Sequence, residues 1–129
     1  AKASALHASN KIDISFDTNL KTERFDTNVE VILYRIITEL ITNSLKHSEC
    51  SQIQLSMKHE ANIITIHYSD DGKGFDPSAV LDTGMGLSNI ISRVGSLHGK
   101  VDIWSERRKG MTTDIIINLA NTDERDRKI

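Results

Sequence analysis

A change of apolar period constrains this chain most. Val29, Leu33, Ile36, Ile37, Leu40 and Ile41 recur at helical spacing. Ile53, Leu55 and Met57, then Ile64, Ile66 and Tyr68, instead alternate with polar residues, as half-buried strands do. Glu60-Ala61-Asn62 between the two runs is short enough for a hairpin turn, which makes them antiparallel neighbours. Thr27 and Glu30 read as a Ser/Thr-x-x-Glu capping box, and the helix behind them runs to about Ser48. Upstream, Ile12, Ile14 and Phe16 predict a half-buried strand. Downstream, a second helix spans about Gly86 to Leu97, with Leu87, Ile90, Ile91, Val94 and Leu97 on one face and Gly99 as its stop. Val101 and Ile103 start another strand, and Gly110 turns the basic segment Glu106 to Lys109 into the last one, Thr112–Leu119. The order β-α-β-β-α-β-β predicts an α+β fold, a two-layer α/β sandwich whose mixed sheet is covered on one face by helices.

At 129 residues the chain is long enough for one domain with a real core. We place that domain at residues 12–120, between a linker at 1–11 and a charged tail at 121–129. A net charge of −2 gives no electrostatic case for nucleic acid or an anionic membrane as partner. A single cysteine, Cys50, excludes an internal disulfide and fits a reducing compartment. No apolar stretch approaches a membrane span, no signal-peptide pattern opens the chain, and no initiator methionine is present, which reads as a piece of a longer protein.

Chemistry-bearing residues fall in three groups. On the first helix Glu39, Asn43, Lys46 and His47 lie within one arc of roughly 100°, abutting the apolar stripe. Polar groups placed there need partners, which a hydrated metal and phosphates would supply. The amide oxygen of Asn43 suits Mg²⁺, Glu39 a metal-bound water, and Lys46 a phosphate. Next, Asp70-Asp71-Gly72-Lys73-Gly74 ends an apolar strand. An ionised carboxylate there only accepts hydrogen bonds, so Asp70 suits the exocyclic amine of adenine and would repel a guanine carbonyl. Gly72 and Gly74 permit close approach to a flat ring. Finally, Gly84-Met85-Gly86 opens the second helix, where backbone donors and the helix dipole favour phosphate. Phe75 to Thr83 is then a candidate lid hinged at Gly74 and Gly84. Each group also has a plainer reading: a wet helix flank, an Asp-Gly turn, a flexible junction.

Taken in order, Glu39-x-x-x-Asn43-x-x-Lys46-His47, Asp70-x-Gly72-x-Gly74 and Gly84-x-Gly86 resemble the N, G1 and G2 boxes of the GHKL (Bergerat) ATP-binding fold. The likeness covers about Thr27 to Leu119. It is nearest to the catalytic domain of bacterial two-component sensor histidine kinases, in the subgroup of nitrate sensors and desaturase thermosensors. Leu33-Tyr34-Arg35-Ile36 leads into the first box as it does there, and Gly86-Leu87-Ser88-Asn89-Ile90 with Arg93-Val94 looks like the subgroup's post-lid helix. The resemblance implies ATP and Mg²⁺ as cofactors, with Asn43 on the metal and Glu39 holding a metal water. Glu39, Asn43 and Lys46 would be the catalytic set. Lys46, His47, Asp70, Gly72, Gly74, Gly84, Met85, Gly86 and Leu87 would shape or contact the nucleotide. Family precedent puts a threonine near adenine on the last strand; Met111 stands where it is common, which leaves Thr112 as the candidate.

The resemblance further implies partners: a dimerising helical domain bearing the phosphoacceptor histidine, a homodimer, and a response regulator. It implies a cytoplasmic domain, without membrane contact of its own, in a parent anchored in the inner membrane. None of His7, His47, His59, His67 and His98 sits in a segment suited to be the acceptor. The alternatives are a self-contained ATPase, a nucleotide-binding regulatory module, or a protein serine kinase like the anti-sigma factors.

Overall fold

The computed structural model describes residues 12–22, 24–74 and 87–120. The readings of 1–11, of the lid and of 121–129 fall outside the described residues. The elements are β1 (Asp13–Thr18), α1 (Thr27–Asn43), a π-helical turn (Ser44–Ser48), β2 (Gln52–Glu60), β3 (Ile63–Asp70), α2 (Leu87–Ser96), β4 (Lys100–Ser105) and β5 (Met111–Asn118). Their order is the one the periodicity predicts.

Five strands form one sheet in the order β1-β2-β3-β5-β4. β1 runs parallel to β2, and the other pairs are antiparallel. Adjacent parallel strands need a long crossover, and α1 is that crossover. β2 and β3 are joined through Ala61 and Asn62, with Ala61 at φ 54, the left-handed conformation that so tight a hairpin demands.

Alternation sets the faces. Ile53, Leu55 and Met57 of β2, Ile64, Ile66 and Tyr68 of β3, and Ile115 and Ile117 of β5 are all buried. The register lines them up, with Ile66 opposite both Met57 and Ile115. Over this face α1 lays Val29, Leu33, Ile36 and Leu40, and α2 lays Leu87, Ile90 and Val94. The other face carries exposed Thr65, His67, Trp104 and Asp114.

Local chemistry departs from the sequence reading in four places. The capping box does not form: Asp26 is the N-cap, so Thr27 already has helical geometry and cannot serve as a cap. Glu30 instead reaches back to the Phe25 amide (3.0 Å) and to Arg24 Nε (2.8 Å) and Nη2 (2.7 Å). α1 gives way to the π turn after Asn43, so α-helical spacing no longer describes Lys46 and His47. α2 stops through His98, which takes the left-handed φ of 58, while the Gly99 amide donates to the Val94 carbonyl (3.0 Å). Ile14 and Phe16, on the strand at the edge of the described sheet, are over half exposed (53% and 58%).

The Arg24 hydrogen bond, helped by the Phe25 amide, holds the Glu30 carboxyl down at about 2. Its folded pKa therefore lies below its unfolded one. Whatever stability the link adds is present above the ordinary carboxylate range and lost as pH falls through about 2. Titration of the Glu30 carboxyl by NMR should show a midpoint near 2, and Arg24→Ala should return it toward the ordinary 4.5.

Candidate functional site

The end of α1 is fastened to the end of β3. In the π turn Ser48 Oγ donates to the Ser44 carbonyl (2.8 Å), and the Ser48 carbonyl accepts the Lys73 amide (2.7 Å). Glu49, at φ 55, then turns the chain toward β2. Asp71 fixes the start of that strand by accepting from the Ser51 and Gln52 amides (2.8 and 2.9 Å) and from Ser51 Oγ (2.7 Å). These donors, that of Gln52 foremost, hold the Asp71 carboxyl below its usual range.

Asp70 differs from its neighbour in burial and in the sheet face it occupies. It ends β3 on the core face, between Ile53 and Met111, and is 8% exposed. Its Oδ2 accepts Ser44 Oγ at 2.7 Å and its Oδ1 accepts the Gly72 amide at 3.0 Å. Ser44 Oγ also lies 2.6 Å from the Tyr68 hydroxyl, which reaches the Leu40 carbonyl at 3.1 Å. Ser44 has one proton and commits it to the acceptor-only carboxylate, so it accepts from Tyr68. Burial pushes the Tyr68 hydroxyl above the usual phenol range, which keeps its proton in place. The Tyr68 proton is shared between Ser44 Oγ and the Leu40 carbonyl, while that of Ser44 goes to Asp70.

Two glycines make this junction possible. A Cβ on Gly72 would meet the Ser48 carbonyl at 2.3 Å. Gly110, at φ 79, presses on Asp70 from the other side, where a Cβ would meet the Asp70 carbonyl oxygen at 2.1 Å. Gly74 closes the loop at φ 64 against the Glu106 carbonyl.

Of the other expected site residues, Asn43 is 6% exposed and its Nδ2 is buried without a partner. A half-turn of the amide exchanges this nitrogen for the oxygen, so the position can meet either an anion or a cation. Glu39, one turn earlier, lines a groove of about 290 Å³ with Tyr34, Arg35, Thr38, Thr42 and Arg93. Arg93 Nε is also buried and unpaired. Lys46 is exposed and His47 half-buried in the π turn. Leu87 opens α2 as a core residue, 1% exposed. Gly84, Met85 and Gly86 lie outside the described residues.

Thr112 is not brought to this site. It stands opposite Ser69 and Trp104, on the sheet face away from Asp70, because residue 111 is the one that pairs with Asp70 and side chains alternate. Met111 and Thr113, both buried, share the face of Asp70. Among the described histidines, His67 pairs with Asp114 (2.6 Å) on the outer face, and His59 packs edge-on to Phe25.

Sequence reasoning missed Ser44 and Tyr68. The signal was present: Ser44 follows Leu40 by four residues, putting a hydroxyl on the apolar stripe, and Tyr68 precedes Asp70 by two on the same strand face.

Residues 28–122 match the family of histidine kinase-, DNA gyrase B- and HSP90-like ATPases. The chain belongs to that family. It is 37% identical over 122 residues to the sensor histidine kinase ComP of Bacillus subtilis, covering 90% of this chain and 16% of that one. It is 31% identical over 116 residues to the oxygen sensor histidine kinase NreB of Staphylococcus carnosus, covering 87% of this chain and 32% of that one. The chain thus spans less than a third of the length of these relatives. Among solved structures, the histidine kinase domain of the Erythrobacter litoralis EL346 blue-light activated kinase superposes with a TM-score of 0.72 at 16% identity, covering 95% of this chain and 59% of that one. That likeness shows the fold: a mixed sheet with its helices, as in histidine kinase catalytic domains.

Gly110→Ala should destabilise the domain by about 2 kcal/mol, from strain at positive φ and the clash with Asp70. Gly95→Ala, in α2 with nothing within 4 Å of its added carbon, should stabilise by about 0.5 kcal/mol. Urea denaturation midpoints check both.

Proposed function

We propose that this chain is the ATP-binding catalytic domain of a sensor histidine kinase, formed by residues 12–120. It would hold Mg²⁺–ATP and present the γ-phosphoryl group to a histidine on a separate dimerisation helix, for relay to a response regulator. The observation that carries the reading is Asp70, a buried carboxylate held as a pure acceptor beside two close backbone approaches. Such a group reads an amine donor on a flat base. The family and the named sensor kinases supply the reaction class.

The donor set fits a hydrated Mg²⁺. Asn43 offers a buried amide with an unpaired atom, and Glu39 a carboxylate one turn earlier. Among the described residues no three His, Cys, Asp or Glu side chains cluster to cage a metal. Asn43 would hold the ion directly and Glu39 through water, the sparse protein coordination that Mg²⁺ accepts. When bound, the ion neutralises phosphate charge. The chain's own residues do the positioning that phosphoryl transfer chiefly requires. Lys46 and His47 would meet phosphate oxygens, with the Gly84-Met85-Gly86 segment completing the pocket. The unpaired Arg93 Nε beside Glu39 adds a cationic donor to the groove. Glu39 orients water here and is not the base, since the acceptor histidine must pass its proton to a neighbour on its own helix.

No helix among the described residues is long and apolar enough to cross a membrane. We place the domain in the cytoplasm, in a homodimeric parent anchored in the inner membrane.

Titration with Mg²⁺–ATP and Mg²⁺–GTP should show adenine-selective binding that Asp70→Asn loses by about tenfold or more; equal binding of both nucleotides by the unaltered chain would overturn the reading of Asp70. Asn43→Ala should abolish phosphoryl transfer to a supplied acceptor domain. Unchanged transfer would remove Asn43 from the mechanism.

A further inference from the structure

The network behind Asp70 does more than fill the core. Ser44 and Tyr68 are 2% and 0% exposed, so each hydroxyl must find its partners inside the protein. Alanine and phenylalanine there would fill the core as well, but would leave Asp70 Oδ2 without its donor. What the hydroxyls add is direction. Tyr68 has one proton with two acceptors in reach, Ser44 Oγ at 2.6 Å and the Leu40 carbonyl near the end of α1 at 3.1 Å. Ser44 then presents its own proton to Asp70 Oδ2. The Gly72 amide occupies Oδ1 from the opposite side. With one donor on each oxygen the carboxylate plane is fixed, and the lone pairs left over are the ones available to a ligand.

We infer that Ser44, oriented by Tyr68, is a specificity-determining positioning residue. It holds the Asp70 carboxylate in one rotamer, so that the site accepts a purine amine and rejects a purine carbonyl. The inference rests on the reading of Asp70 as the group that meets the base. It assigns the selectivity to a relay of three side chains, Tyr68, Ser44 and Asp70, where the sequence pointed to the carboxylate alone. Without the Ser44 donor, Asp70 Oδ2 loses its partner and the carboxylate is free to turn. A turned carboxylate no longer aims its free lone pairs at the base amine, which removes the preference for adenine.

The test is the ratio of Mg²⁺–ATP to Mg²⁺–GTP dissociation constants for the full chain, for Ser44→Ala, Ser44→Thr, Tyr68→Phe and Asp70→Asn, with thermal melts alongside. Ser44→Ala should reduce the preference for ATP by about tenfold, the worth of one hydrogen bond to a charged group. Tyr68→Phe should move the ratio the same way by a smaller factor, and Ser44→Thr, which keeps the hydroxyl, should restore it. A Ser44→Ala variant that weakens both nucleotides equally would show a merely structural hydroxyl and overturn the inference. So would a wild-type ratio in Ser44→Ala when Asp70→Asn has lost it. If Asp70→Asn itself keeps the wild-type ratio, the reading of Asp70 fails, and the relay falls with it by a separate route. Should Ser44→Ala not fold, Tyr68→Phe decides alone, and an unchanged ratio there overturns the proposal.

Discussion

A carboxylate can end a buried strand only if its hydrogen-bond donors are buried with it, and supplying them to Asp70 organises the polar end of this fold. One donor comes from the helix layer, through Ser44, and one from the loop that leaves the strand, through the Gly72 amide. Bringing both within 3.0 Å requires α1 to end close over β3, and the π turn with glycine at position 72 makes that approach sterically possible. The apolar core positions the layers. The polar seam decides how closely they meet.

That seam also explains why the two consecutive aspartates are not equivalent. Alternation sends Asp70 inward and Asp71 outward, so one is buried against Ser44 of the π turn and the other bridges to the exposed start of β2. Asn43 belongs to the same corner, as the last α-helical residue before the π turn. The two groups that a nucleotide and its metal would engage are therefore set by a single junction between helix and strand.

Much of the fold was legible because its elements are strongly periodic. Val29 to Ile41 could only be a helix of this kind, and the paired alternating runs around Ala61 could only be a hairpin. The parallel pairing of β1 was not legible, since it depends on where the crossover helix lands. The capping box was misread because the motif does not say which residue begins the helix. Asp70 and Asn43 stood out as candidates by residue type and order. Ser44 and Tyr68 did not, because a serine in a helix and a tyrosine in a strand are ordinary until the register places them on one carboxylate. Thr112 shows the reverse error: adjacency in sequence counts for nothing when alternate residues face opposite ways.

The turn between β4 and β5 has a further consequence. Exposed hairpin tips are usually where chains tolerate added residues best. Here the tip is wedged into the site, with the Arg108 amide on the Lys73 carbonyl, Glu106 against Gly74, and Gly110 on the back of Asp70. The most solvent-washed corner of the sheet is thereby denied freedom of length. An insertion between Glu106 and Lys109 would shift the strand end that carries Asp70.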